Sequence, residues 1–600
     1  MDERRWHNIR PNEQTRIPVR HVFVDTEARK IYDRGVETQQ WRCAVGIYAA
    51  RRKNGEYTTN DRDYVDPEAL WADVSDFANS EGRTVVWCHN LAYDIRIAGV
   101  FTVLPARGWS LIGHNISPRG TWLEWRRDGR TLVFCDSFSV FPASIERIGQ
   151  WFGIGKPALP SEDATMADWL DRCRADCRIL STCILRYLEW LKREDMGNWQ
   201  LTGNSQAWAV YRHKFLTCKL TVHSETETLA MERRAMWAGR CEAYWHGKIS
   251  GINVYEYDFQ QAYPRIARDY AVPTKYVGEL DSSESIWNAV GQDGYALIIE
   301  CDVETTVPVV PAEHDGRILW PVGRFRTVLW DVEASEVMRA GGTVTALRAR
   351  VYRTAPALKA WGQWILGELG KPDTDVPVWL KTLLKHWSRS LIGRMAMTYQ
   401  SWEYDGAMPD SRCEAGMVKD ERTGEVSEYI HVGYDMWLHA GKVEWQHSMP
   451  MITGYIQAIA RMQLWEILSR MPQGSVLYAD TDSVFVTEVD REELEGIIAS
   501  IPGCGMRLKN AYQSMEIYGP RQIITGPEAR IAGIPKKAER IEKGRFQGEV
   551  WESIGAAVAM GRIDSVQVRD RTWTLAGVDH RRRATDNGFT VPVELGMSDD

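Results

Sequence analysis

The sequence predicts a multidomain fold of α/β and α+β class, on three observations. Six hundred residues exceed what one hydrophobic core organises, so two or more domains are expected. The first third sets apolar strand-like runs, HVFVD at 21–25 and TVVWC at 84–88, before a helical stretch over 164–195. Further on, short strands such as VLYAD and SVFV alternate with amphipathic helical segments.

Composition narrows the classes. With 44% apolar and 26% charged residues the chain reads as an ordinary soluble protein. The net charge of −8 gives no overall basic footprint, so a nucleic-acid role needs a locally basic channel. No apolar run reaches transmembrane length, and the polar start MDERRWHNIRPNEQ is not a signal peptide. Eleven scattered cysteines without a CxxC fit reduced thiols in a cytoplasm. The 27 tryptophans suggest no function.

In the strand HVFVDTE, Asp25 and Glu27 lie two apart and so project from one face. The apolar strand of TVVWCHNLAYDIRIAG breaks at His89–Asn90 and leads into Tyr93 and Asp94. The helical stretch carries an apolar stripe of Leu170, Cys173, Cys177, Leu180, Ile184, Leu188 and Leu191. Asp176 falls on its flank, whereas Asp168 and Asp171 point to solvent. Taken singly, each acid is equally a loop or surface residue. Together Asp25, Glu27, Asp94 and Asp176 are enough carboxylate to hold two divalent ions for phosphodiester hydrolysis.

The C-terminal two-thirds repeats the theme. INVYEYDFQQAYPRIA is a strand ending at Asp258, with Tyr263 five residues on. VWLKTLLKHWSRSLIGRMAM is an amphipathic helix with Lys381 and Lys385 one turn apart. VLYADTDSVFV places Asp480 and Asp482 at the tip of a buried hairpin. A D-T-D tip is either a simple turn or a divalent-metal site built of hard oxygen ligands.

The N-terminal acids, with Asn90-x-x-Tyr93-Asp94, resemble the three-motif 3′→5′ proofreading exonuclease of ribonuclease H-like fold. The resemblance implies that Asn90, Tyr93, Ser137 and Phe138 contact single-stranded DNA. Arg172 stands where the family carries a tyrosine. Asp258, Lys385 and Asp480-Thr-Asp482 in that order look like motifs A, B and C of family B DNA polymerases. That likeness implies a right-hand palm, fingers and thumb, with Mg²⁺ (Mn²⁺ as substitute), two ions at each site. Asp258 and Asp482 would be polymerase ligands supported by Asp480, and Asp25, Glu27, Asp94 and Asp176 exonuclease ligands. Tyr263, Lys381, Lys385, Arg389 and Gly393 would meet the incoming dNTP, although Arg389 and Ile392 replace the family's Asn and Tyr.

The motif spacing leaves room for two strand-rich insertions, resembling those of the protein-primed branch found in phages and linear plasmids. Trp237-Ala-Gly239-Arg240 is similar to that branch's template-binding linker, and Arg521 with Ile523 stand at its Lys-x-Tyr region. Lys536 and Lys537 would contact duplex backbone or are simply solvated, and the RRR at 581–583 has a solvated charge cluster as its plain alternative too. The expected division is exonuclease 1–200, palm 201–304, first insertion 305–355, fingers 356–398, second insertion 399–447, palm 448–520, and thumb with the C-terminal region 521–600. Expected partners are primer–template and single-stranded DNA, dNTPs and a terminal priming protein, with no membrane, for a monomer in a bacterial cytoplasm. Initiation from a nucleic-acid primer or without one, and a degenerate DNA-binding protein, are the competing expectations.

Overall fold

The computed structural model describes residues 4–596 except 81, 117–120, 420–423, 425 and 576–580. Its largest sheet has ten strands. At the centre, Arg20–Asp33 runs parallel to Arg83–Cys88, which runs parallel to Arg130–Asp136. These strands are covered on both faces, which is why Val22, Phe23 and Val24 are consecutive and all buried. The helix Met166–Arg193 lies across one face, started by a capping box between Thr165 and Asp168. Its small Cys173 and Cys177 let it approach closely: their Sγ atoms meet the carbonyls of Asp25 at 3.0 Å and Val45 at 3.2 Å.

The same sheet recruits the far end of the chain. Val566–Thr574 pairs through Val566–Val568 with Glu37–Gln39 and carries Arg545–Trp551 and Glu539–Glu542 beyond it.

A second, seven-stranded antiparallel sheet holds Gly247–Phe259 at its centre. The hairpin Val476–Asp480/Ser483–Thr487 flanks it on one side and Met506–Gly519 on the other. Gln522–Thr525 and Glu528–Ile531 finish this sheet, so the expected boundary at 521 falls inside it. A third sheet pairs Val272–Leu280, Thr343–Ala355, Tyr295–Thr305 and Val322–Trp330. The expected boundary at 305 therefore cuts a continuous sheet, because Tyr295–Thr305 is bonded on both edges to later strands.

Helices Lys359–Gly370 and Val378–Met395 pack as a pair. A long ribbon, Thr398–Lys419 with Val426–Glu444, then reaches back to the N-terminal unit. There Cys413, Ile430 and Val432 join one core with Phe101, Leu104, Ile554 and Val558. No helix among the described residues is long and apolar enough to cross a membrane.

The tryptophans cluster where segments meet. Trp190 of the long helix packs against Trp379 and Trp387 of the fingers at 6.2 and 5.7 Å, and Trp208 packs against Trp445 at 5.5 Å. Large rings give much buried area per residue, which suits seams between units distant in sequence. Trp387 is wholly buried, so Trp387→Ala is expected to cost about 3–5 kcal/mol, read as a fall in the urea midpoint.

Candidate functional site

The N-terminal acids meet where the central strand passes beneath the long helix. Strand alternation puts Asp25 and Glu27 on the helix-facing side, and a bulge after Glu27 bends the strand there. Asp176 comes down from the helix between the turns anchored by Cys173 and Cys177. One carboxylate oxygen from each of Asp25, Glu27 and Asp176 lies within 4.8 Å of the others. Among the described residues this is the one place where three such ligands crowd together.

Asp94 is held slightly apart. Its Oδ1 accepts from the Thr26 amide at 3.1 Å and the Thr26 hydroxyl at 2.8 Å. It remains near enough to act on Asp25, whose carboxyl is pushed well up by burial and by the charges of Asp176 and Asp94.

Two cations offset the crowding. Lys156 Nζ donates to Asp176 Oδ2 at 2.6 Å, and Arg172 Nε stands 3.4 Å from Glu27 Oε1. Burial still pushes Glu27 up to about 7 against the pull of Arg172. Asp176 Oδ1 is buried without a hydrogen-bond partner. Such an oxygen, in a set of hard carboxylate donors, fits a divalent cation of the Mg²⁺ kind.

The loop beside the trio is pinned by Asp136. It accepts from the Asn90 amide at 3.1 Å and the Phe138 amide at 2.9 Å, holding both segments at the cluster's edge. Asn90 sits at φ 75°, a left-handed conformation that asparagine tolerates. Ser137 Oγ is 2.9 Å from His89 Nδ1, and Phe138 is half exposed beside the same ring. Tyr93 donates to Gln39 Oε1 at 2.8 Å, and its ring meets Trp551 edge-on.

The second acid group forms at the end of the strand Gly247–Phe259. Asp258 is in register with Ser483, so the Asp480–Asp482 turn lies directly beside it. The Phe259 amide donates to the Asp482 carbonyl at 2.8 Å. Thr481, at φ 59°, donates its amide to the Arg240 carbonyl at 2.6 Å and its hydroxyl to Asp480 Oδ1 at 3.0 Å. Burial and the neighbouring Asp258 push Asp482 up to about 6. Lys509 Nζ bridges Asp258 Oδ2 at 2.7 Å and Glu256 Oε1 at 2.9 Å.

On the fingers helix, Lys385, Arg389 and Gly393 follow at one-turn intervals and are exposed. Arg389 is close enough to oppose the rise of Asp482, and of Tyr263, whose phenol is pushed up by burial and Asp482. A Cβ on Gly393 would meet nothing within 4 Å, whereas Ile392 is buried in the core. Lys381 continues the stripe but is tied to Asp373 at 2.6 Å in the loop ahead of the helix.

Arg240 departs from expectation. It is 1% exposed, paired with Glu242 at 2.5 Å and packed on Trp320 and Trp465, so it cannot also reach a template phosphate. Gly239 is a packing glycine: a Cβ there would lie 2.7 Å from Thr481 Cγ2. Arg521 is exposed at a tight turn, φ 58°, its amide bonded to the Tyr478 hydroxyl. Lys536 and Lys537 are exposed. Sequence reading passed over Lys156, Asp136 and Lys509. Lys156 and Asp136 lie outside any periodic pattern, and Lys509 alternates in an unremarked strand whose partner was unknown.

No family model and no curated protein matches the sequence. Solved structures do. Phi29 DNA polymerase complexed with primer–template DNA covers 93% of this chain and 100% of its own, with a TM-score of 0.62 and 15% identity. Its complex with primer–template DNA and incoming nucleotides, and its complex with single-stranded DNA, give the same coverage at 0.63 and 14%. The chain therefore has the phi29 polymerase fold, as its motifs led one to expect.

Crowded carboxylates make stability depend on pH and cation. A carboxylate held above its unfolded value binds its proton more tightly when folded, so its destabilisation is absent at low pH and complete above the folded value. In EDTA, Glu27→Gln should therefore gain thermal stability over wild type between about pH 5 and pH 8. Saturating Mg²⁺ should reverse the difference by stabilising the wild type more than the variant, which keeps only the acids around Asp258 intact. Melting temperatures of both proteins across that range measure it.

Proposed function

We propose that the chain is a DNA-directed DNA polymerase with an attached 3′→5′ exonuclease. The observation that carries this reading is strand pairing that sets Asp258 beside the Asp480–Asp482 turn, beneath the exposed Lys385–Arg389–Gly393 stripe, in a chain of phi29 polymerase fold. Asp258 and Asp482 would hold two divalent cations, which when bound acidify a primer 3′-hydroxyl and neutralise the leaving pyrophosphate.

The protein's own side chains do the rest. Lys385 and Arg389 meet the triphosphate with charge-assisted hydrogen bonds. Open space over Gly393 admits the nascent base pair. Tyr263, beside Asp482, packs under the sugar and excludes a ribose 2′-hydroxyl. Lys509 orients Asp258 through their ion pair.

In the N-terminal site, Asp25, Glu27 and Asp176, with Asp94 alongside, would hold the cations for phosphodiester hydrolysis. Asn90, Tyr93 and Phe138 line the edge where a frayed single strand would lie, whereas Ser137, 1% exposed and bonded to His89, is held too deep to touch it. Arg172 takes the place of the family's tyrosine and steers Glu27 instead of a water. Exposed Arg521, Lys536 and Lys537 are placed to meet duplex backbone. The 272–355 sheet would receive a priming protein. The long ribbon, docked on the N-terminal unit, would enclose DNA for processive strand displacement.

Primer extension on a circular single-stranded template with Mg²⁺ tests the reading. Asp482→Ala and Asp258→Ala should each lower extension about a thousandfold or more while single-strand degradation continues. Asp25→Ala should do the opposite. Normal extension by Asp482→Ala would refute the assignment. A covalent protein–nucleotide adduct on linear DNA, formed only with a terminal protein, would establish protein priming. Arg389→Ala should raise the KM for dNTP about tenfold with a smaller change in kcat.

A further inference from the structure

The last described residues do not behave as a solvated basic tail. Of the RRR at 581–583, Arg582 is buried at 5% exposure. It opens a small hairpin, Arg582–Ala584 with Thr590–Pro592, closed by a turn at Gly588. Gly588 sits at φ 86°, and a Cβ there would lie 2.9 Å from the Trp245 ring, so only glycine lets the hairpin seat. Phe589 bridges Trp245, their rings 4.9 Å apart, and the Thr590 amide donates to the Tyr244 carbonyl at 2.9 Å.

From this seat a continuous chain of bonds leads to the polymerase acids. Arg582 Nη1 donates to Glu242 Oε1 at 2.6 Å. Glu242 Oε2 accepts from Arg240 Nε at 2.5 Å and from the Tyr244 hydroxyl at 3.0 Å. The Arg240 carbonyl holds the Thr481 amide at 2.6 Å, and Cys241 is in register with Asp480. Thr590 locks the far end: its hydroxyl accepts from Arg582 Nε at 2.7 Å and donates to the Ala243 carbonyl at 2.7 Å. Arg240, Glu242 and Arg582 are all buried, where removing one member of an ion triad leaves uncompensated charge. Past the hairpin, Glu594–Leu595 pairs in parallel with Val322–Gly323 of the third sheet.

We propose that the C-terminal strap, residues 581–595, is a positioning element for nucleotide transfer: through Arg582, Glu242 and Arg240 it fixes the Thr481 turn that aims Asp480 and Asp482. The inference rests on the polymerase reading for its catalytic consequence. The mechanical coupling stands apart from it. Thr481 has a left-handed backbone, a strained conformation for a β-branched residue, so it needs an external hold, and the Arg240 carbonyl is that hold.

The test uses the full chain carrying Arg582→Met, Arg582→Lys or Thr590→Val. Amide hydrogen exchange is expected to accelerate in 237–243 and 476–486 in the Met and Val proteins, with the rest of the palm sheet unchanged. Primer-extension kcat should fall about tenfold or more while the KM for dNTP stays within about twofold and single-strand degradation is untouched. Arg582→Lys, which keeps the charge on Glu242, should recover part of both effects. Unchanged exchange at 476–486 in a protein whose 581–595 segment has loosened would overturn the proposal. Exchange rising evenly through the palm would do the same, reducing Arg582 to a general stabiliser. If Arg582→Met does not fold, Thr590→Val, which loses a single hydroxyl bridge, gives the same reading. Should the wild type extend no primer, the polymerase assignment falls while the exchange result still decides the coupling.

Discussion

The fold is organised around holding carboxylates closer together than water-exposed chemistry would tolerate. Burial strips solvation from an acid, and a like-charged neighbour adds to the penalty. Asp25 bears both, from burial and from Asp176 and Asp94. Asp482 bears both, from burial and from Asp258. Each group is balanced by cations delivered from elsewhere: Lys156 and Arg172 for the first, Lys509 for the second. The scaffolding around the two sites serves this balance.

The two sites use the same device with different parts. Each places an acid on a central strand, Asp25 or Asp258, and brings the partner acid from an element docked on or paired with it. In the N-terminal unit the docking depends on small side chains, Cys173 and Cys177, that let a 28-residue helix lie close to the sheet. In the palm it depends on a hairpin whose tip is strained and whose amide is captured by the linker. A sheet fixes strand register to a fraction of a residue, so the acids need no loop to find each other.

How much of this the sequence disclosed follows from the range of the interaction. Asp25-x-Glu27 and Asp480-Thr-Asp482 are local patterns, visible because strand alternation and turn chemistry are local. Lys381 and Lys385 were legible as one face by helical spacing, and Arg389 and Gly393 only through the likeness to motif B. That Lys381 is diverted to Asp373 was not, because the loop's path is not encoded in the helix period. Arg240 looked like a DNA contact by its place in the linker. Its burial depends on Glu242, Trp320, Trp465 and Arg582, residues spread over more than three hundred positions. Lys509 escaped for the same reason. That one sheet spans position 305 was not legible, because pairing partners cannot be read from alternation alone.

The pairing of Val566–Val568 with Glu37–Gln39 has a consequence for biosynthesis. A ribosome delivers the amino-terminal strands long before the segment that closes their edge, and until then that edge is an open template for other extended chains. A nascent or prematurely terminated product would carry this unsealed margin. Emergence of the 566–574 segment, and not that of the first two hundred residues, is therefore the moment at which this margin of the amino-terminal unit is sealed.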